Sequence, residues 1–276
     1  MTEATVPYLL AMPRPSVPRR LWDRSGWSLA IALEVVAIIA LWEYLVVGAA
    51  VWNRDFLPAP TDIAESFRLM AASGYLLEHL AFSLQNFVIG YLLASVVGVA
   101  LGLLMGTIPF VSLALGPFVW AMYATPRIAI APLLVIWLGF GAESKVVIIV
   151  LMTVFPVLLN VMVGTKQVDQ SLLRAARVFG ATRMDLYRKV ILPFTLPYTL
   201  TGLRLGISRA LIGVVVGEFI GSAAGLGYMI VRASAQFDLA TSFAVVAILL
   251  LIANVTMTLL DMARRRVAPW YRESSV

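Results

Sequence analysis

The sequence predicts an all-α integral membrane protein with six transmembrane helices, and three observations carry that reading. Of 276 residues, 61% are hydrophobic and only 13% are charged, whereas a water-soluble domain carries about one charged residue in four. Apolar runs of about 20 residues recur along the chain, long enough at about 1.5 Å rise per residue to cross a hydrocarbon layer of about 30 Å. The cations are also unevenly placed. Six crossings put both termini on one side; fourteen Lys and Arg fall in the segments on that side, against four (Arg54, Arg68, Lys145, Arg232) opposite. That bias places the termini in the cytoplasm. It also accounts for the net charge of +6 without a nucleic-acid partner. The chain has no cysteine and a single histidine, His79, which excludes disulfides and a histidine-based metal site. No metal ligand set and no catalytic residue is expected.

Residues 1–26 carry Arg14, Arg19, Arg20 and Arg24 and read as a cytoplasmic tail without an apolar signal-peptide region. The first span is 27–51. It holds Glu34 and Glu43, for which structural pairing or an interfacial position is favoured over a proton or substrate site. Residues 52–78 lie outside, with a rigid Phe56-Leu57-Pro58-Ala59-Pro60 stretch. A short helix follows from Thr61, with Ile63, Phe67 and Met70 on one face. Five further helices fill 79–262. The run from His79 to Pro126 has no charged residue and breaks at Thr107-Ile108-Pro109, giving a span at 80–107. Gly98, Gly102 and Gly106 stand four apart within it, suited to close helix packing. The next span, 113–140, is kinked at Pro126-Arg127 and Pro132. Residues 146–165 and, after a loop, 194–220 and 239–260 complete the set. Residues 263–276 return a basic tail to the cytoplasm.

The loop at 166–193 is the most informative segment. It gathers Lys166, Arg174, Arg177, Arg183, Arg188 and Lys189 against only Asp169 and Asp185. Asp169 caps a first short helix carrying Leu172, Leu173 and Ala176, and Gly180 stops it. Thr182 with Asp185 forms a capping-box pattern that opens a second helix. The expectation is two small amphipathic helices joined by a sharp bend, with Leu192-Pro193 leading into the next span. From these residues alone the bend either docks on a partner or rests on lipid headgroups.

The pattern Arg174-Ala175-Ala176, Gly180 and Ile191-Leu192-Pro193 resembles the cytoplasmic loop of ABC importer permeases, with Arg174 at the position where the family carries a glutamate. Phe56–Pro60 and the short helix after it resemble the nitrate, sulfonate and taurine branch of that family, and the segments TPRIAIAPLLVIWLGFG and GEFIGSAAGLGYMI resemble the family's kinked span and outer gate region. The likeness covers roughly residues 55–270. It implies the type I importer permease fold, with the 166–193 loop coupling to an ATPase through Asp169, Leu172, Leu173, Arg174, Ala175, Ala176, Gly180, Thr182, Asp185, Leu192 and Pro193. It implies as partners two copies of the ATPase, which bind ATP and Mg so that this chain needs no cofactor. A periplasmic or lipid-anchored solute-binding protein, a second permease copy as a homodimer, and membrane lipid complete the assembly. The location is the bacterial inner membrane, and the cargo a small, anionic solute such as nitrate, a sulfonate or taurine, an aromatic acid, or else a pyrimidine precursor.

Arg127, Arg209 and Glu218 are the candidates for the substrate pathway. The opposing reading makes Arg127 an interfacial anchor and Arg209 and Glu218 a structural pair. A self-sufficient secondary transporter or channel is the alternative function. It calls for inverted repeats and a coupling-ion site, and neither is visible. A membrane enzyme would need a nucleophile–base or His/Asp cluster in the spans.

Overall fold

The structure, a computed structural model, describes residues 17–268, with side chains from residue 29 onward. The chain divides into two units, one ending at Thr61 and one beginning at Asp62.

In the first unit, helix α1 spans Val17–Glu43 and is prolonged by a π-helical turn, Tyr44–Gly48. The helix is already present at Val17, the first described residue, well before the expected span start at Trp27, and the φ of Pro18 is compatible with it. The expected tail is therefore partly helical, and its residues 1–16 lie outside the described part. Residues Leu29–Gly48 are long and apolar enough to cross a membrane. Leu33 and Val36 stand exposed along it, as suits a helix whose solvent is lipid. Glu43 is satisfied at its end: its carboxylate accepts from Thr61 N at 3.2 Å and Thr61 Oγ1 at 2.9 Å.

In the second unit, α2 (Pro60–Ala72) precedes α3 (Tyr75–Thr107), α4 (Pro109–Ala124), a 3-10 turn (Arg127–Ile130), α5 (Ala131–Leu138) and α6 (Ala142–Lys166). Then come α7 (Gln170–Val178), α8 (Arg183–Asp185), a π-helical stretch (Leu186–Ile191), α9 (Leu192–Phe219), α10 (Leu226–Ala235) and α11 (Leu239–Val267). Across the described residues five helices are long and apolar enough to cross a membrane, or six if one bent pair is a single span. That pair is α4 with the 3-10 turn and α5, and it bends by 86°. The 113–140 segment is thus a broken helix, more sharply turned than a proline kink alone. Pro126 and Pro132 both withhold backbone donors there, and the chain tightens to 3-10 geometry between them.

The second loop helix is not a separate element. Arg183 to Phe219 runs on as one helical length of 37 residues, its opening capped as the sequence indicates. Pro193 offers no N–H, and in a regular α-helix its ring would meet the carbonyl four residues back. The chain widens instead: Leu192 N bonds to Tyr187 O across the π-helical turn, so the helix passes the proline without ending.

Helix α6 is the centre of the bundle and the most buried span. Two rows of glycine face it. On α3, a Cβ at Gly98 would meet Val157 at 2.9 Å, one at Gly102 would meet Leu158 O at 2.7 Å, and one at Gly106 would meet Thr165 at 2.4 Å. On α9, Gly206 and Gly213 lie against Thr153 and Ile149 in the same way. Small residues let backbones approach and gain packing where lipid gives no hydrophobic drive. Around the start of α3, Met70, Leu76, Met229, Val245 and Ile248 form a further core that ties α2, α10 and α11 together.

The seam makes a direct prediction. Gly102→Val forces a side chain onto a backbone carbonyl and is expected to cost about 1–3 kcal/mol, lowering the unfolding temperature of the detergent-solubilised protein. Gly116→Ala, at a site with nothing within 4 Å, is expected to be neutral or slightly stabilising. Equal loss in both variants would rule out the seam.

Candidate functional site

Three regions carry the polar chemistry, and helix α6 connects them. The first is the loop after α6. Asp169 Oδ1 accepts from Ser171 N at 2.7 Å and starts α7. The Ser171 backbone and hydroxyl, with a smaller contribution from Arg174, hold the Asp169 carboxyl below its ordinary range. The cap is therefore at full strength at neutral pH and is lost only in acid. Gly180 takes φ +83° with open space around its Cβ position, so the backbone turn and not crowding requires glycine. Ala181 N bonds to Ala176 O at 3.0 Å and Gly180 N to Arg177 O at 2.9 Å, the paired bonds of a Schellman ending. Thr182 and Asp185 then cap each other reciprocally, and Asp185 also binds Lys189 at 2.7 Å.

The bend is thus fixed at both of its helix ends, and it presents an apolar tip. Phe179 is 90% exposed and Val178 84%. Leu172 and Met184 are also exposed, while Leu173 and Ala176 are half-buried against the bundle. Arg174 and Ala175 face outward. Leu192 is exposed and Pro193 half-buried at the start of α9. Sequence reasoning passed over Val178 and Phe179. Their signal was two large apolar residues directly before a glycine stop, in a segment otherwise rich in charge.

The second region lies at mid-depth. Arg127 donates to Leu151 O at 3.3 Å. Its guanidinium lies over the rings of Tyr123 and Phe155, 5.4 and 5.3 Å from their centroids. It is turned inward to α6. Arg209 is exposed on α9, between Gly206 and Gly213, which pack on Thr153 and Ile149. Both arginines therefore sit at the level of the middle of α6. Among the described residues neither forms an ion pair.

Glu218 is not with them. It is buried at the far end of α9, where its carboxylate accepts from Ser83 Oγ at 2.7 Å and Gly227 N at 2.7 Å. Ser83 Oγ in turn accepts from Leu226 N at 2.7 Å, and His79 Nδ1 from Gly225 N at 2.9 Å. Neither sequence reading of Glu218, pathway residue or partner of Arg209, holds. Its oxygens are occupied by the segment it folds. The glycines of that segment follow from this: Gly225 has φ +113°, and a Cβ there would lie 2.3 Å from the Glu218 carboxyl carbon. Lys145, counted among the cations opposite the termini, is fully buried beside this cluster and donates to Phe140 O at 2.5 Å and Gly221 O at 2.6 Å. Arg204 pairs with Asp261 of α11.

The sequence matches the family described as "Binding-protein-dependent transport system inner membrane component" over residues 94–273. It is 34% identical to the putative aliphatic sulfonates transport permease protein SsuC of Bacillus subtilis, over 90% of this chain and 89% of that protein. It is also 34% identical to the taurine transport system permease protein TauC of Escherichia coli, over 92% and 95% of the two chains. The fold is similar to a chain of the MetNI methionine ABC transporter in an inward-facing conformation, with a TM-score of 0.53 at 21% identity, covering 72% of this chain and 94% of the other.

The buried cluster is expected to be structural. Glu218→Ala leaves Gly227 N–H and Ser83 O–H without their acceptor, at about 1–3 kcal/mol for each orphaned group, whereas Glu218→Gln keeps one acceptor. The alanine variant should unfold at clearly lower temperature and exchange the amides of 225–227 faster, with the glutamine variant between it and wild type. Wild-type behaviour of the alanine variant would refute this role.

Proposed function

The chain belongs to the family of binding-protein-dependent transport-system inner-membrane components, and from that premise we propose how its three polar regions divide the work of an ATP-driven importer. It is a multi-pass permease subunit of an ABC importer, of the sulfonate, taurine and nitrate type, and not an enzyme. The family assignment decides against a self-sufficient secondary transporter or channel.

In the proposed assembly two copies of this chain stand over two ATPase subunits, which hold ATP and Mg, while a periplasmic or lipid-anchored binding protein delivers solute to the opposite face. Both termini and the 166–193 loop face the cytoplasm. The Val178–Phe179 tip enters a groove of the ATPase. An apolar knob on a capped, Schellman-ended bend suits such docking, because little conformational freedom remains to be lost on binding. Arg174, in place of the family's glutamate, lies on the exposed side of α7 and gives this loop a cationic contact. Since the loop runs into α9 without a break, ATPase closure is carried directly into the helix that bears Arg209. Switching between inward- and outward-facing states is then a population shift driven by the ATPase's preference for one of them.

The cargo is proposed to be a small solute with an anionic head, a sulfonate (a taurine-like zwitterion included) or carboxylate. The observation that carries this is the pair of guanidiniums, Arg127 and Arg209, at mid-depth with no carboxylate bound to either. A charge inside a membrane is costly and faces protein or a water-filled cavity; two of one sign together favour an anion passing between them.

Two tests follow. Arg127→Gln and Arg209→Gln are each expected to raise the apparent KM for an aliphatic sulfonate about ten- to hundredfold in reconstituted importer, the worth of a charge-assisted hydrogen bond, with partial rescue by lysine. An unchanged KM in the double variant would refute the anion site. Phe179→Ala touches little of the permease itself, so the chain should insert and fold normally. It is expected to weaken retention of the ATPase about thirtyfold, as loss of an interface hot spot does. Full retention and uptake would refute docking through the tip.

A further inference from the structure

A cavity of about 560 Å³ lies beneath the loop. Three cations line it, each from a different element: Lys166 in the last turn of α6, Arg177 in the last turn of α7, and Arg183 in the first turn of α8. Tyr187 adds a hydroxyl, and Ile108 and Leu173 supply apolar wall. No carboxylate lines it. The two acids of the loop are engaged elsewhere, Asp169 with Ser171 N and Asp185 with Thr182 and Lys189. Lys166 Nζ donates to the neutral Ser112 Oγ at 2.9 Å, and no ion pair is formed by Arg177 or Arg183 among the described residues.

Helix electrostatics explains two of these cations and not the third. Lysine and arginine in a last turn are favoured by the negative end of the helix dipole. Arg183 stands at the opposite kind of end, where a cation is disfavoured. It nevertheless lines a space already holding two positive charges. The cavity also sits where the apolar helices stop: α3 ends at Thr107, α6 ends at Lys166, and the helical length that becomes α9 begins at Arg183. That is the level at which hydrocarbon gives way to headgroups.

We infer that this cavity is a binding site for a phosphoryl anion, supplied by the headgroup of an anionic phospholipid, that ties the loop to the ends of α3, α6 and α9. Apolar wall beside three lining cations at the ends of the apolar helices matches a phosphodiester with the first atoms of its glycerol. A bound phosphate makes one rigid piece of α7 and the root of α9. The site stands apart from the solute pathway; only its consequence for coupling rests on the loop docking proposed above.

The test uses the full chain purified with its ATPase partner and exchanged into phosphatidylcholine containing some phosphatidylglycerol. Native mass spectrometry should find phosphatidylglycerol retained over phosphatidylcholine. Arg177→Gln with Arg183→Gln should lower that retention about fivefold per guanidinium removed. The lysine double variant should keep it, and Arg188→Gln, a loop cation that does not line the cavity, should change nothing. Equal retention of the two lipids by the unaltered complex, or an equal loss in Arg188→Gln, would overturn the site. Displacement of the lipid by millimolar inorganic phosphate would keep the phosphoryl site and overturn the lipid as its source. Complex that stays assembled but loses ATPase stimulation only when phosphatidylglycerol is omitted supports the coupling role. Unchanged stimulation overturns that role, while the site itself stands or falls on lipid retention.

Discussion

The bundle of the second unit is organised around the packing of α6 between two glycine rows. With a side chain at Gly102 or Gly106, α3 would have to retreat from the Leu158 carbonyl or from Thr165. With one at Gly213, α9 would have to retreat from the backbone of Ile149. Lipid is as apolar as leucine, so nothing but contact area and hydrogen bonding holds such helices together. Close approach is therefore the main source of cohesion. It also sets the register of α9 on α6, which brings Arg209 level with the Leu151 carbonyl that Arg127 touches.

That register sorts the charges within the helices into two kinds. Glu218 and Arg204 are satisfied by groups far away in sequence: Ser83 lies 135 residues before Glu218, and Asp261 lies 57 after Arg204. Lys145 is satisfied by carbonyls 5 residues before it and 76 after it. These contacts close the ends of the helices, α9 on α3 at one end and α9 on α11 nearer the loop. Arg127 and Arg209, and the cations of the cavity under the loop, are the other kind. They have neutral neighbours but no carboxylate among the described residues, so their charge is not neutralised within the chain. Such groups are where a passing or resident anion is best sought.

Between these regions the backbone itself is the connection. The capping box at Thr182 starts a helix that the π-helical turn carries past Pro193 and on to Phe219. A hinge at this place would let the loop move alone. Continuous hydrogen bonding joins the second half of the loop to the span, while Gly180, in the left-handed region, turns the chain between that helix and α7.

The sequence alone determined what is local. The length of apolar runs set the spans, cap chemistry set Asp169, Gly180 and the Thr182–Asp185 box, and the proline spacing marked where α4 and α5 part. Each of these rests on residues within a few positions of one another, so a linear reading reaches them. Only the tertiary structure decided that Lys145 is buried, that Glu218 is held by Ser83 and the glycine segment at 225–227, and that Arg204 pairs with Asp261. It also decided that the second loop helix is the root of α9 and that three loop-end cations face one space. The physical reason is common to all of them: a charge's role is fixed by what lies within a few ångströms of it, and in a helical bundle those neighbours come from distant parts of the chain.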